Sequence, residues 1–386
     1  MIPVFCLGFD FGNAETGAVL FDPERGYLRA VTLPSATAPG RFADLLRTRA
    51  GLGLSAQAFA DDPVSHVPPL SQHEYVLDYD GSEWFVGDLA LTQARDPSSA
   101  RGDISRYWSR RAVHLLLAAS AHLIPARSAE YEVHVVTGLP VETFNAETRK
   151  RVKAALEGHF TFALNGVRRS AHIRVLSVIM EGAGALIAHG ANRPITQGCI
   201  DVGGRTTDLF VARGQQPVLP LCGGKPLGVE SVGDRLSQRF ETVYGRPLKP
   251  AEQRTLLRAY VRRTSPEPLL PGLPEAEPVL YASGVEVPFA ELCAWCEALF
   301  AEAGAEMAAF VGAAWNSSET GAVGADIAQV VLVGGGAYYV ADSLRERIPH
   351  LFIPSRPELA NATGYGALAQ TLSRRKSEAE ALARWS

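Results

Sequence analysis

Asp10, Gly12 and Thr16 share their spacing with Asp201, Gly203 and Thr207, so the segments 8–17 and 199–208 are two ungapped copies of one glycine-turn pattern. Each copy lies between apolar runs, 2–9 and 18–21 around the first and 199–200 and 209–212 around the second, so each reads as a β-hairpin. The turn carries glycine, hydroxyl and acid. Glycines let backbone N–H groups approach an anion, and an aspartate ending the first strand can hold a divalent cation through water. Two such hairpins facing each other would clamp a magnesium polyphosphate. Taken singly, Asp10 and Asp201 could equally cap their turns.

A third glycine cluster, Gly334, Gly335 and Gly336, follows a predicted strand over 327–333 and precedes a predicted helix over 338–347. Side chains at such a junction would keep a nucleotide away from the backbone. No G-x-x-x-x-G-K-[ST] or G-x-G-x-x-G pattern occurs, which disfavours P-loop ATPases and dinucleotide enzymes.

The elements that must position these groups follow from patterning. The segment 28–103 is loop-rich, with a hairpin signal over 75–79 and 84–87, and leads into a buried helix over 112–126. Next come a strand over 131–137, a helix over 142–156, a hairpin through Asn165 and Gly166, a strand over 174–180 and a helix over 181–189. After the second glycine hairpin, a helix over 228–244 precedes a polar Arg- and Pro-rich stretch at 246–288. Helices over 289–314 and 360–372 close the chain, the last ending in a charged tail. The hairpin plus strand-helix arrangement recurs in both halves, so the economical fold is two related α/β lobes.

Composition bounds the function. The 386 residues are 47% hydrophobic and 20% charged, and 37 basic against 41 acidic side chains leave a net charge of -4 with no basic block. Direct nucleic-acid contact is not expected. The apolar stretch 112–126 is interrupted by His114, His122 and Pro125 and falls short of the ~18 residues of a membrane span. The N-terminus lacks a basic region, so the cytoplasm is the default compartment. Five cysteines make no disulfide framework, and Cys293 and Cys296, spaced like half a zinc site, share one face of a predicted helix and read as core.

Together the residues resemble the actin and heat-shock chaperone ATPase superfamily, most closely the bacterial actin-like proteins of the ParM and Alp type. Five motifs carry the likeness in order: 10–17 as first phosphate loop, 180–185 as first connecting helix, 201–208 as second phosphate loop, 331–337 as adenosine motif and 357–364 as second connecting helix. The resemblance implies a two-lobed α/β fold of duplicated ribonuclease-H-like domains with a nucleotide cleft between them. Domain I would span 1–185, with an insertion at about 28–108, completed by the helix 360–386; domain II would span 186–359, with an insertion at about 246–320.

By the same resemblance, Asp10 and Asp201 would hold Mg²⁺ through water and Glu181 would orient or deprotonate the attacking water. Gly12, Asn13, Thr16, Gly203, Gly204, Arg205 and Thr206 would meet the phosphates. Glu230, Asp234 and Arg235 are candidates for the ribose and base, beside Gly334, Gly335 and Gly336. Gly17 stands where most relatives carry a phosphate-touching lysine, and Arg205 either replaces that charge or points to solvent.

The implied activity is hydrolysis of ATP, with GTP possible, coupled to a head-to-tail homopolymer that serves plasmid or DNA segregation through a DNA-binding adaptor. Two other readings share the superfamily. One is a non-filamentous adaptor like the FtsA and PilM groups, for which Leu372, Ala379, Leu382 and Trp385 would form a small membrane-facing stripe. The other is a small-molecule kinase, which needs an acceptor base beyond Glu181; no clear second acid stands out, though loop residues between Asp61 and Asp103 could supply one.

Overall fold

The computed structural model describes residues 2–21, 28–52, 74–94, 98–99, 104–190, 194–264, 277–316 and 323–383. β1 (Val4–Phe11) and β2 (Glu15–Phe21) form the first glycine hairpin, with Asp10 opposite Gly17. β3 (Leu28–Pro34) adds a third antiparallel strand to that hairpin, so the segment expected to be an insertion from residue 28 begins as a strand of the first sheet. Then come β4 (Ala36–Pro39), α1 (Phe42–Leu52), β5 (Glu74–Tyr79), β6 (Ser82–Gly87), α2 (Asp88–Gln93) and β7 (Ser98–Ser99). Asp80 and Gly81 join β5 to β6 with φ of 55° and 70°, the left-handed pair that a tight two-residue turn requires.

The expected buried helix is α3 (Arg110–Leu123), capped by Ser109 and buried without interruption from Ala112 to Ala121. β8 (Glu130–Leu139) follows. The helix expected from residue 142 begins later, as α4 (Ala146–Leu156), because Asn145 and Thr148 form a reciprocal capping box and Val141–Thr143 is a separate 3-10 turn. β9 (Gly158–Leu164) turns through Asn165 and Gly166 into β10 (Val167–Met180). β10 is one 14-residue strand with a bulge between Val175 and Ser177, where the sequence suggests two strands. Glu181 therefore directly follows a strand and does not open a helix. α5 (Ala183–His189) begins after Gly182, whose φ of 83° makes the sharp change of direction.

The second half repeats the plan. β11 (Thr196–Val202) and β12 (Thr207–Arg213) form the second glycine hairpin, and β13 (Gln216–Pro217) and β14 (Gly223–Lys225) both pair with β12. α6 (Val229–Tyr244) precedes α7 (Pro250–Thr264), a helix within the stretch that reads from sequence only as polar and Pro-rich. Proline suits its first turn, and Leu256, Leu257, Ala259 and Val261 supply its buried face. β15 (Leu280–Ala282), β16 (Val285–Val287), α8 (Phe289–Trp315), β17 (Gln329–Val333), α9 (Ala337–Arg345), β18 (Leu351–Phe352) and α10 (Ala360–Ala383) complete the chain. The proline-rich loop at 265–276 and the linker at 317–322 lie outside the described residues.

The first sheet runs β3-β2-β1-β8-β10-β9-β5-β6-β4-β7 and the second β13-β12-β11-β17-β18. In each, the first strand of the glycine hairpin pairs antiparallel with its partner and parallel with a strand that returns after a helix: β1 with β8, and β11 with β17. α3 and the first sheet share one core around Leu115, Leu116 and Tyr131; α8 serves two more, around Phe240 and Phe300 and around Ile200 and Leu332. Cys293 and Cys296 pack within the core around Phe240 and Phe300. α10 lies directly on β1 and α5: a methyl group at Gly8 would sit 1.9 Å from the Ala362 carbonyl oxygen, and one at Gly364 1.7 Å from that of Gly184. Those glycines let the backbones touch.

Candidate functional site

The two glycine hairpins meet. A methyl on Gly204 would lie 2.6 Å from the Ala14 side chain, so the second turn rests against the first. Above them opens a cavity of about 540 Å³ between the two sheets. Asp10, Gly12 and Asn13 line it from the first turn, and Asp201, Gly203, Gly204, Arg205 and Thr206 from the second. Glu181, Glu230, Asp234 and the Gly334 to Gly336 turn complete the set of sequence candidates that it brings together.

Close approach explains the third glycine turn. Gly334 has φ of 81°, and a side chain there would meet the Val202 carbonyl at 2.3 Å and Asp201 Oδ1 at 2.5 Å. Gly336 donates to the Val202 carbonyl at 2.8 Å, and a methyl on it would strike Val202 Cγ1 at 2.2 Å. Of the three, only Gly335 has open space beside it, on the cavity side.

Two candidates do not reach the cavity. Thr16 is fully buried with its hydroxyl 2.8 Å from that of Ser35, which donates to the Gly12 carbonyl at 2.7 Å. Its equivalent, Thr207, donates to the Leu227 carbonyl at 2.5 Å. Both threonines lock the hairpins from behind, since a buried hydroxyl needs a partner. Arg235 turns outward and pairs with Glu302. Arg205 neither stands free nor faces solvent alone: its Nε donates to Glu230 at 2.8 Å.

Four carboxylates converge at the floor: Asp10, Glu181, Asp201 and Asp208. Burial pushes Asp10 up to about 8, helped by the charge of Asp201 and opposed by the Arg106 guanidinium. Burial likewise raises Asp208 to about 7, against a hydrogen bond from Thr206 and with added repulsion from Asp201 and Glu142. Asp201 rises to about 6 through burial, held down by a hydrogen bond from Asn361. Glu181 lies well above the usual carboxylate range because it is buried and faces Asp208, Asp10 and Asp201.

Such a floor favours a cation. Among the described residues no three His, Cys, Asp or Glu side chains are grouped closely enough to hold a metal directly. The surplus of buried acid, and the buried Asn13 Oδ1 that lacks a partner, fit a hydrated divalent ion gripped through its water shell, the habit of Mg²⁺.

Sequence reasoning missed six residues here. Tyr107 donates to Glu181 Oε1 at 2.6 Å and receives a 2.6 Å hydrogen bond from Arg106 Nη2. Both stand on the 3-10 turn Ile104–Trp108, where no local pattern marks them. Asn361 donates to Asp201 from α10. Asp208 ends the second glycine motif, and its place after two threonines was the available signal. At the cleft mouth, Arg254 of α7 donates to Glu15 and to Asp88 of α2, each at 2.9 Å, and Arg258 lies 3.5 Å from Glu15.

Comparison with known proteins agrees with this architecture. Residues 8–184 match the family model described as actin like proteins N terminal domain. The archaeal actin homologue Ta0583, solved in complex with ADP, superposes with a TM-score of 0.67 at 21% identity, over 96% of this chain and 100% of that one. A 15-stranded ParM filament from Clostridium botulinum gives 0.67 at 19% identity over 96% and 100%, and Bacillus thuringiensis ParM with AMPPNP gives 0.63 at 14% over 96% and 99%. No curated protein sequence matches. Residues 8–184 thus carry the actin-like N-terminal domain that the family model describes. The fold of the chain is the one shared by Ta0583 and the ParM proteins. Among the described residues no helix is long and apolar enough to cross a membrane; the side chains of Leu382 and Trp385 lie outside them.

Proposed function

We propose that this protein binds ATP with Mg²⁺ in the cleft, hydrolyses it, and uses the nucleotide state to control head-to-tail assembly into filaments. The observation that carries this reading is the meeting of two like glycine turns, Glu181 and three aspartates in one cavity. Domain I, 1–185 with 360–386, and domain II, 186–359, would close on the nucleotide. Amides of Gly12, Asn13, Gly203 and Gly204 would receive the phosphates, Asp10 and Asp201 the ion's water shell, and Asp234 and the open side of Gly335 the nucleoside; GTP would fit the same polyphosphate chemistry. Bound Mg²⁺ supplies positive charge against the phosphates and the acidic floor. Glu181, held by Tyr107, would orient the attacking water and take its proton once neighbouring charge is neutralised.

Filament formation is supported by the ParM filament whose fold this chain shares. A closed lobe pair would present a different end surface from an open one, which couples nucleotide to an interface that does not close on itself. Plasmid or other DNA segregation in the cytoplasm, through a DNA-binding adaptor, is the role we assign to such filaments. High-speed pelleting with electron microscopy tests the reading: polymer that forms with ATP or a non-hydrolysable analogue and not with ADP supports it, and equal solubility in all states overturns it.

A further inference from the structure

Triphosphate binding in the cleft, on which the role assigned here to one arginine rests, meets a chemical difficulty in the acidic floor. A triphosphate brings several negative charges to a site that already holds four carboxylates, so a cation of the chain should meet the terminal phosphate. The cavity has four arginines: Arg106, Arg205, Arg254 and Arg258. Arg205 is paired with Glu230, and Arg254 and Arg258 with Glu15. No carboxylate of the described residues pairs with Arg106. Gly17 offers no substitute, because a side chain there would press on Leu359 Cδ2 at 3.1 Å and on the Glu358 carbonyl at 3.4 Å.

Arg106 has the right address. Its guanidinium lies over the Tyr107 ring, 4.4 Å from the centroid, donates to the Tyr107 hydroxyl through Nη2, and keeps a buried Nε without a partner. It acts electrostatically on both Asp10 and Asp208, the acids of the two glycine hairpins. Beside it Arg111 also carries buried, unpartnered Nε and Nη1 atoms, and each cation repels the other. Arg106, which lines the cavity and keeps a buried Nε without an acceptor, marks a place for an anion. Five donors in a planar fork allow Arg106 to keep the Tyr107 contact and still grip two phosphate oxygens.

We propose that Arg106 is the phosphate-contacting cation of the cleft, reading the terminal phosphate of a nucleoside triphosphate, and that the Tyr107 hydroxyl transmits that contact to the position of Glu181. Arg106 thereby distinguishes triphosphate from diphosphate, and Tyr107 acts as a positioning residue.

The test measures affinity for a non-hydrolysable ATP analogue and for ADP, each with Mg²⁺, by calorimetry on wild type, Arg106→Gln, Arg106→Lys and Tyr107→Phe. Arg106→Gln should weaken the analogue by about 10- to 100-fold, the loss of a charge-assisted hydrogen bond, while ADP changes by less than about 3-fold. Retained ADP binding shows that the variant is folded. Arg106→Lys should recover part of the loss, and Tyr107→Phe should leave analogue affinity within about 3-fold while lowering kcat by about 10-fold. Equal losses for both nucleotides, or an unchanged preference in Arg106→Gln, would overturn the assignment while leaving the cleft a nucleotide site. Wild type that binds neither nucleotide would overturn both. Should Arg106→Gln fail to bind ADP, the Arg106→Lys preference and the Tyr107→Phe split decide.

Discussion

Asn361 donates a 2.6 Å hydrogen bond to Asp201 Oδ2 while its own Oδ1 accepts from the backbone nitrogens of Gly182 and Ala185, at 3.0 and 3.1 Å. One buried amide from α10 thus ties the acid of the second glycine hairpin to the start of α5, directly after Glu181. Asn361→Ala removes three hydrogen bonds and strands two buried N–H groups. We expect a loss of about 2 to 6 kcal/mol in denaturant unfolding, from two unsatisfied buried donors at about 1 to 3 kcal/mol each, together with weaker Mg-nucleotide binding. An unchanged unfolding midpoint would show that water replaces the amide.

The acidic floor sets a pH dependence. Asp201 titrates near 6, Asp208 near 7 and Asp10 near 8 in the folded chain, against about 4 for an unfolded aspartate. The folded state therefore holds more protons than the unfolded one across that window, so this contribution to stability is full below about pH 4 and is lost as the pH rises through 6 to 8. Asp10→Asn removes the repelled charge. The melting temperature of the nucleotide-free, magnesium-free protein should rise in this variant at about pH 8.5 and change little at about pH 5. A stabilisation equal at both values would contradict the account.

The contact between α5 and α10 is made by backbone. A methyl at Gly364 would sit 1.7 Å from the Gly184 carbonyl oxygen, and one at Gly184 would meet the Tyr365 ring at 2.5 Å. Neither neighbour is the free end of a flexible chain. Gly364→Ala should cost about 1 to 3 kcal/mol, the usual penalty of overpacking, read as a lower midpoint of chemical denaturation, and should disturb Asn361 one turn away.

At the cleft mouth Arg254 links α7 to Glu15 and Asp88, so the second insertion holds the first. These groups are partly exposed, and each pair is worth at most about 1 kcal/mol in stability. Arg254→Met should therefore leave melting almost unchanged and show itself in kinetics. Release of a fluorescent ADP should quicken by about 3- to 10-fold, the effect of losing one or two such pairs, and added salt should narrow the difference from wild type.

What the sequence disclosed was local. The paired hairpins, the Gly334 turn and the buried helix α3 are written in glycine spacing and short apolar runs; Asp10 and Asp201 stand at the hairpin turns, and Glu181 directly follows β10. What it concealed was brought in by distant packing. Arg106 and Tyr107 reach the floor because the chain returns from the insertion through a 3-10 turn, and Asn361 because α10 folds back over α5; neither placement leaves a periodic mark. α7 was hidden by its arginines, which mask an apolar face only four residues wide. Thr16 misled for a different reason: a hydroxyl beside a phosphate loop is read as a ligand, but here the turn itself consumes it. Arg235 misled because a single step along a helix separates a cleft-facing residue such as Asp234 from an outward one.

The most direct measurement tracks phosphate release and pelletable polymer together after addition of ATP and Mg²⁺, in wild type and Glu181→Ala. Wild-type polymer should form, release phosphate and then decline, whereas Glu181→Ala polymer should form and persist with phosphate release reduced by at least about 100-fold, the scale of losing a general base. Phosphate release at the wild-type rate in Glu181→Ala would contradict that role for Glu181.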